Sequence, residues 1–400
     1  MSRFEKLPGA RTVSRHMTPE RAAFAGIFIV TMLGLLSIGA TLPVLPRYVE
    51  GPLGAGDISV GIVTGAFAVT GLACRPFAGR FADSRGRRPA VLLGASLSTI
   101  AAALYFVPAG VPGLVIARFF LGAGEGLIYT AGSAWVVDLA PDERRGQIIG
   151  WYGLSIWGGL SLGPLIGELI LHAWSFNAVW AFALAAPLLG ALIALRIPEA
   201  FRPREEHTTR GPLIAREALR PGLAFSCGTV GFAAVSAFII LLLESRGIGS
   251  GTLVFTAFAA TVVGVRLVGG NLPDRFGGAR CAMVAGLVEA AGLAAIAAAQ
   301  SLPVAILGAM AMGGAFALLL PSFALIALEG VPIERRGATM GTLTAFFDLG
   351  VGVGAPLAGV AASLAGYGAA FWLAAVFALG LAALSARAGQ KRVAMAPSPG

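Results

Sequence analysis

Long apolar segments follow one another through almost the whole chain, with little sequence between them. A helix needs roughly 20 mainly apolar residues to cross the hydrocarbon core of a membrane. Segments of this length and number therefore predict an all-α integral membrane protein. The twelve predicted helices occupy residues 22–46, 57–80, 89–107, 111–138, 147–171, 175–196, 221–244, 250–272, 279–299, 303–328, 338–364 and 368–388.

The scarcity of charge supports the same prediction. Only 12% of the 400 residues are charged, against roughly 25% in an average soluble domain. The net charge of +9 could point to a nucleic-acid partner. However, the arginines lie in short connections between apolar segments, where positive charge sets membrane orientation. We therefore expect membrane lipid around the chain and no nucleic-acid partner.

A polar stretch at 198–220 is the one long polar segment inside the chain, and it separates six predicted helices from six. An even number of spans places both termini on one side of the membrane. Of the 29 basic residues, 26 fall on that side if Arg75 and Arg266 are counted at helix ends; Arg47 and Arg246 lie opposite, and Arg118 lies inside a helix. Both termini are therefore predicted to be cytoplasmic. The predicted domains are a tail at 1–20, a six-helix bundle at 21–197, a cytoplasmic linker at 198–220, a second bundle at 221–388 and a tail at 389–400.

The two halves repeat one another at a shift of 191 residues. One register that holds over about eighty residues indicates a duplication of six helices. Two parallel halves of this kind place a site at their interface, near the middle of the membrane. The same shift places Trp157 on Asp348, so the repeat is not symmetric in charge. The coinciding residues include Arg75 with Arg266, Gly79 with Gly270, Asp83 with Asp274, Gly86 with Gly277, Asp138 with Glu329, Gly159 with Gly350, and Gly163 with Gly354.

Three motifs carry a family resemblance that covers nearly the whole chain. The stretch Gly79–Arg88 resembles the loop 2–3 signature of the major facilitator superfamily. Leu114-x-x-x-Arg118-x-x-Leu121-Gly122-x-Gly124 resembles its helix 4 signature. Gly159-x-x-x-Gly163-Pro164-x-x-Gly167 resembles the helix 5 signature of exporters. Within the superfamily, the chain is most similar to the twelve-helix drug–proton antiporter group, in which a monomer is usual.

The resemblance implies a cytoplasmic gate around the loop 2–3 signature. Asp83 ends helix 2 among several arginines, and a carboxylate there can cap a helix N-terminus and hold a guanidinium. Such contacts can form in one conformation and break in another. A static, positively charged loop is the alternative. The gate residues are predicted to be Asp83, Arg85, Arg87, Arg88, Asp138 and Asp274.

Three charged residues are predicted to carry proton coupling or substrate binding: Arg118, Glu125 and Asp348. Charges inside a membrane are costly, so they should face protein or water and have partners. Glu125 and Asp348 fall near the middle of helices that line the central cavity in this superfamily. For Arg118, a structural anchor bonded to backbone carbonyls is the alternative. Glu289 is also central, but it lies on a helix that is peripheral in the family.

Small residues in helices 5 and 11 suggest points of bending or of close packing, and the sequence fits both. These residues are Gly159, Gly163, Pro164, Gly167, Gly350 and Gly354. Aromatic residues in cavity-lining helices, assigned by family position, suggest an apolar cavity. They are Phe28, Tyr129, Trp157, Phe232, Phe238, Phe316 and Phe346.

The predicted function is proton-coupled export of small amphipathic or hydrophobic molecules by alternating access, as in multidrug efflux. The alternative is a proton-coupled uptake symporter, or a facilitator, for a small metabolite. Cys74, Cys227 and Cys281 have no metal-ligand spacing, and no catalytic set of residues is present. We therefore expect neither an enzyme nor a metal or other cofactor, with a proton gradient as the energy source. The expected location is a bacterial-type cytoplasmic (inner) membrane.

Overall fold

The computed structural model describes residues 19–139, 145–199 and 214–395. The predicted tails at 1–20 and 389–400 and the linker at 198–220 lie partly outside these residues. Within the described ranges the chain is helical, without strands, and a short 3₁₀ turn at Arg216–Ala218 precedes the second half. The helices are α1 (Pro19–Thr41), α2 (Val44–Glu50), α3 (Asp57–Arg85), α4 (Arg87–Leu104), α5 (Gly110–Leu139), α6 (Arg145–Ala173), α7 (Phe176–Ala194), α8 (Leu219–Ser245), α9 (Gly251–Gly269), α10 (Leu272–Phe276), α11 (Gly278–Ala298), α12 (Leu302–Leu328), α13 (Ile333–Ala365) and α14 (Tyr367–Met395).

Eleven segments of the described chain are long and apolar enough to cross a membrane, so the expectation of a multi-pass all-α membrane protein is confirmed. The predicted third helix, 89–107, forms as α4 but is not among the eleven. It has only 18 residues, and Arg87 and Arg88 at its start lower the mean hydropathy of the whole helix. The first predicted helix is broken at residues 42–43, where α1 ends and α2 begins.

Helix packing follows the sequence repeat. In the first half α1 packs on α6 and α7, and α4 packs on α5 and α7; in the second half α8 packs on α13 and α14, and α11 packs on α12 and α14. The halves meet where α3 contacts α13 and where α6 contacts α9. The shift of 191 residues carries α3 onto α9 and α6 onto α13, so it relates the α3–α13 contact to the α6–α9 contact. Residues that coincide in the repeat therefore occupy equivalent places in the two contacts between the halves.

The glycines of α6 and α13 that were predicted to bend or to pack closely lie against helices of their own half. A Cβ at Gly163 would lie 2.6 Å from the Cα of Gly39 on α1, and one at Gly354 would lie 3.0 Å from the Cα of Val230 on α8. Gly159 likewise meets α1 beside Leu35, and Gly350 meets α8 beside Ser226, so both stripes allow close backbone contact. Pro164 lies inside α6 without ending it. Bending at these residues stays a prediction.

We expect Gly167→Ala to lower thermal stability, because the new Cβ would lie 2.9 Å from the Cα of Ala40. Overpacking of this kind costs about 1–3 kcal/mol, which exceeds the gain of about 0.5–1 kcal/mol from removing a helical glycine. Gly264→Ala is the matched control, since its Cβ would meet nothing within 4 Å. The measurement is the midpoint of thermal unfolding in detergent. A midpoint for Gly167→Ala equal to that of Gly264→Ala would contradict this packing.

Candidate functional site

A central cavity lies between the two halves of the chain. It has a volume of about 100 Å³ and adjoins a second cavity of about 330 Å³ between α6 and α9; both are lined by Trp157 and Arg266. Together their volumes fall within the range of sites that bind small molecules, roughly 300–1,000 Å³. The central cavity is lined by Leu35, Arg75, Glu125, Tyr129, Ile156, Trp157, Leu160, Phe225, Arg266, Phe316, Leu320, Thr344 and Phe347.

An ion pair between Arg75 and Asp348 crosses the interface beside this cavity. Arg75 Nε donates to Asp348 Oδ2 at 2.5 Å, and Nη2 donates to Oδ1 at 3.0 Å. The Asp348 side chain is 2% exposed and that of Arg75 is 11% exposed. The guanidinium also lies 5.0 Å from the ring centroid of Tyr129. Two parallel hydrogen bonds of this kind fix geometry as well as charge.

The position of Arg75 corrects the sequence analysis, which counted it at a cytoplasmic helix end. Helix α3 continues to Arg85, so Arg75 lies ten residues before the end of the helix. The sequence did contain a signal: Arg75 directly follows an apolar run and coincides with Arg266 in the repeat. A helix that extends beyond the membrane surface brings such an arginine into the protein interior.

Glu125 presents a carboxyl to the same cavity. It lies on α5, one turn before Tyr129, so the two side chains share a face of the helix. Among the described residues, the Glu125 carboxyl has no hydrogen bond or ion pair, although Arg75 and Asp348 act on it electrostatically. Of the three predicted charged residues, Glu125 therefore lines the cavity, and Asp348 lies beside it, bound to the lining residue Arg75.

The third predicted residue, Arg118, lies outside the cavity lining. Its side chain is buried, with Nε donating to the carbonyl of Val63 at 3.1 Å and Nη2 to that of Thr64 at 3.0 Å. The guanidinium lies 4.7 Å from the ring centroid of Phe67. These contacts join α5 to α3 within the first half. They match the alternative of a structural anchor, and a transport role for Arg118 stays a prediction.

Arg266 takes the place that the repeat gives to Arg75, but its partner differs. Its guanidinium lies 4.9 Å from the ring centroid of Trp157, the residue that coincides with Asp348. Among the described residues, Arg266 makes no hydrogen bond or ion pair, and its Nε is buried without a partner. At the interface, Arg75 is therefore neutralised by a carboxylate, whereas Arg266 has no carboxylate partner among the described residues. Like Arg75, Arg266 was counted at a helix end in the sequence analysis.

Part of the cavity wall is aromatic, and only some of the predicted rings line it. Trp157, Tyr129 and Phe316 line it, and the ring centroids of Trp157 and Phe316 are 5.7 Å apart. Phe232 stacks behind Phe316 with a centroid distance of 5.6 Å. Phe347 lines the cavity in place of the predicted Phe346, which lies against Gly222.

Two other predicted aromatic residues lie away from the cavity. Phe28 packs against Phe24, at a centroid distance of 6.3 Å. Phe238 is fully buried beside Tyr367 at 6.1 Å. A role for these two rings in the cavity therefore has no support from their contacts.

At the end of the molecule that is predicted to be cytoplasmic, four of the predicted gate residues form contacts within the first half. Arg87 Nη1 donates to Asp83 at 2.5 Å, and Arg87 Nε donates to Asp138 at 3.0 Å. The backbone N–H of Arg88 donates to Glu199 at 2.9 Å. Arg85 and Asp274 are exposed, and neither has an ion pair among the residues that the structure covers.

On the opposite side, a cluster of polar residues joins the halves; we call Arg47, Glu168, Glu244 and Thr252 the far-side latch. Arg47 Nε donates to Glu244 at 2.7 Å and its Nη1 donates to Glu168 at 2.8 Å. Thr252 donates to Glu168 at 2.9 Å. The sequence analysis did not identify this latch, although Arg47 is one of only two basic residues that it placed on that side.

The family comparison agrees with this arrangement. The model of the Major Facilitator Superfamily matches residues 27–253 and 222–397. The chain belongs to this superfamily. As a member it is a secondary transporter rather than an enzyme, of a kind that typically needs no cofactor. Within the described residues, no three His, Cys, Asp or Glu side chains are grouped to hold a metal ion.

Relatives of this superfamily member extend over most of its length. An uncharacterised MFS-type transporter of Pseudomonas aeruginosa is 32% identical over 370 residues, covering 90% of this chain and 91% of the relative. One from Burkholderia mallei is 32% identical over 392 residues, covering 94% and 96% respectively.

Solved structures share the fold at low identity. The human organic anion transporter MFSD10 (TETRAN) has a TM-score of 0.71 and 22% identity, covering 92% of this chain and 100% of that one. A bacterial homolog of the human lysosomal transporter Spinster, inward-facing and unoccupied, has a TM-score of 0.76 and 17% identity, covering 96% and 100%. At these identities the likeness concerns the fold alone.

We expect Asp83→Asn to impair transport more than Asp274→Asn in this transporter. Arg87 forms ion pairs with both Asp83 and Asp138. Loss of the Asp83 charge therefore breaks a network of three residues. Asp274 has no such network in the part of the chain that the structure describes. The measurement is the initial transport rate at equal amounts of protein in vesicles. Equal losses in the two variants would contradict this asymmetry.

Proposed function

We propose that this chain is a proton-coupled secondary transporter of small amphipathic molecules. The observation that carries the proposal is the carboxyl of Glu125, which faces an aromatic cavity without a bonded partner and lies beside the Arg75–Asp348 pair. A group placed in this way can gain and lose a proton as a substrate enters. The aromatic wall suits substrates with an apolar body and one polar group.

Alternating access follows from the way in which the halves meet. We assign twelve spans to two six-helix bundles, 21–197 and 221–388, joined by the cytoplasmic linker at 198–220. The far-side latch joins the bundles at one end. At the proposed cytoplasmic end, Arg87 pairs with Asp83 and Asp138 within the first half, and Arg335 pairs with Glu217 within the second. This arrangement supports a state closed on the far side. Rocking of the bundles would break the latch and open the cavity to that side.

The surroundings of the proposed transporter follow from the sequence. The excess of basic residues in the proposed cytoplasmic connections supports cytoplasmic termini in a bacterial-type inner membrane. We propose that it acts as a monomer.

The direction of transport has two candidates. The first is export in exchange for protons, which the helix 5 resemblance at Gly159–Gly167 supports. Exchange requires substrate and proton to compete for the cavity. The second is movement of substrate together with a proton, as in uptake. The unneutralised Arg266 in the cavity wall favours the second, because an anionic substrate and a proton on Glu125 would bind together.

The test uses purified protein in vesicles that contain a pH-sensitive dye, under an imposed pH gradient. The panel contains lipophilic cations, neutral amphiphiles and aromatic carboxylates. We expect at least one class to drive proton movement, and Glu125→Gln to remove that movement. Glu289→Gln is the matched control, because Glu289 is a fully buried acid on α11 outside the cavity lining. Absence of proton movement with every class would overturn proton coupling.

A further inference from the structure

We propose that Arg266 and Trp157 form the recognition site for the anionic group of the substrate, which is an amphipathic organic anion with an aromatic body. This inference rests on the proposed function, since it names the substrate of the same cavity. It also favours movement of the substrate together with a proton over exchange of the substrate for protons.

The sequence repeat relates two contacts between the halves. The shift of 191 residues carries Arg75 onto Arg266, and it carries Trp157 onto Asp348. The Arg75–Asp348 pair and the Arg266–Trp157 pair are therefore two versions of one contact between the halves. In the first version the chain supplies the carboxylate. In the second version it supplies an indole ring, and the carboxylate is missing.

An arginine without a carboxylate in a membrane protein needs a counter-ion. A charged side chain at bilayer depth is costly and is usually paired or faces a cavity. The Trp157 ring attracts the guanidinium through its π face, but that interaction does not neutralise the charge. Arg266 Nε is buried without a hydrogen-bond partner. A guanidinium presents its donors in a planar fork, so a carboxylate, sulfonate or phosphate can accept two parallel hydrogen bonds from it.

The surroundings of Arg266 define the rest of the ligand. The guanidinium faces both cavities, whose volumes are about 330 Å³ and 100 Å³. Trp151 and Leu154 line the larger cavity, and Phe316 lines the smaller one. An anion with an aromatic body would place its charge at Arg266 and its rings against these side chains. A fully polar anion would leave this apolar surface without contacts.

The charges of the central cavity link anion binding to proton binding. The charged groups that act on Glu125 are Arg75, Asp348 and, from its own helix, Arg118. Arg75 and Asp348 neutralise one another. Glu125 and Arg266 line the same cavity. An ionised Glu125 would repel an anion bound at Arg266, and protonation of Glu125 would remove this repulsion. Proton and anion therefore bind together.

An anionic phospholipid headgroup carries the same chemistry as an organic anion. The larger cavity is bordered by the partly exposed side chains of Trp151 and Leu267, which are 48% and 63% exposed. The experiment must therefore separate the two sources. We assign the site to the small organic anion, since the aromatic wall of the central cavity continues inward from Arg266.

The test measures proton movement driven by three compounds with one aromatic body: 1-naphthylacetate, 1-naphthylacetamide and 1-naphthylmethylammonium. In wild-type vesicles we expect the carboxylate to be the most effective and to move in the same direction as the proton. Arg266→Gln should lower the response to the carboxylate by about tenfold, the scale of a lost charge-assisted hydrogen bond. Arg275→Gln is the control, because it removes an equal charge from an exposed position in the same half.

Trp157→Asp provides a second test of the same site. It would restore the missing carboxylate opposite Arg266, as in the Arg75–Asp348 pair, and should exclude the anion. An unchanged preference for the carboxylate in both Arg266→Gln and Trp157→Asp would overturn the proposal. So would a preference for the amine or the amide in the wild type, although proton coupling itself would stand. Proton movement with none of the three, in vesicles where another compound of the panel drives it, would also overturn the proposal.

The lipid source is tested in the same vesicles. In pure phosphatidylcholine, the carboxylate preference should persist and should still depend on Arg266. Loss of the preference there, with recovery when phosphatidylglycerol is added, would assign Arg266 to a lipid headgroup and overturn the inference.

Discussion

Asp348→Asn should abolish transport and strongly destabilise the protein, because it leaves Arg75 buried without its counter-ion. Arg75 donates two hydrogen bonds to Asp348, at 2.5 and 3.0 Å, and the Asp348 side chain is only 2% exposed. Removing one partner of a buried pair costs about 3–5 kcal/mol. The measurements are the thermal midpoint in detergent and the initial transport rate in vesicles.

A double variant separates folding from function at this pair. Arg75→Gln combined with Asp348→Asn removes both charges, so we expect most of the thermal stability to return. Transport should stay lost if the pair takes part in the cycle. Recovery of transport together with stability would show that the pair is only structural. A small loss of stability in Asp348→Asn alone would contradict the geometry of the pair.

Arg47→Ala should shift the transporter toward an outward-open state. Arg47 binds Glu168 in the first half and Glu244 in the second, so its removal breaks the charged contacts of the far-side latch. The loss of two partly exposed ion pairs at about 0.2–1 kcal/mol each predicts a shift of roughly two- to thirtyfold in the equilibrium between the two states. Spin labels at Ile58 and Leu253, in a variant without native cysteines, report the separation of the two halves; both sites are exposed.

Arg246→Ala is the matched control for the latch. Arg246 is the other basic residue that was placed on the far side, and it donates to the carbonyls of Ala297 and Ala299 within the second half. Its removal should leave the distance between the labels unchanged. A distance distribution in Arg47→Ala that matches the wild type would mean that the latch does not hold the far side closed.

The sequence predicted the membrane class and most of the membrane-spanning helices, because the length of an apolar segment depends on solvent and not on tertiary contacts. It also placed Glu125 and Asp348 at mid-helix; Glu125 lines the cavity, and Asp348 binds Arg75 in the cavity wall. It could not show that Asp348 is bound by Arg75. That contact depends on how far α3 extends past the apolar run, and no local sequence pattern indicates this length.

Helix rotation explains the remaining differences. Neighbouring residues of a helix point about 100° apart, since 3.6 residues make one turn. Phe347 therefore faces the cavity while Phe346 packs on Gly222. Family position identifies a helix but not the face that each residue occupies. Arg118 shows the same limit: its depth was evident from sequence, and its carbonyl partners on α3 were not.

The central claim is that protonation of Glu125 is coupled to substrate in the cavity between the halves. The most direct test is proton exchange on binding, measured with a pH-sensitive dye in weakly buffered detergent solution. The ligand is the compound that gives the largest response in vesicles. We predict that binding changes the number of bound protons in the wild type and in Glu289→Gln, and that this change disappears in Glu125→Gln. An undiminished proton change in Glu125→Gln, with substrate still bound, would contradict the claim.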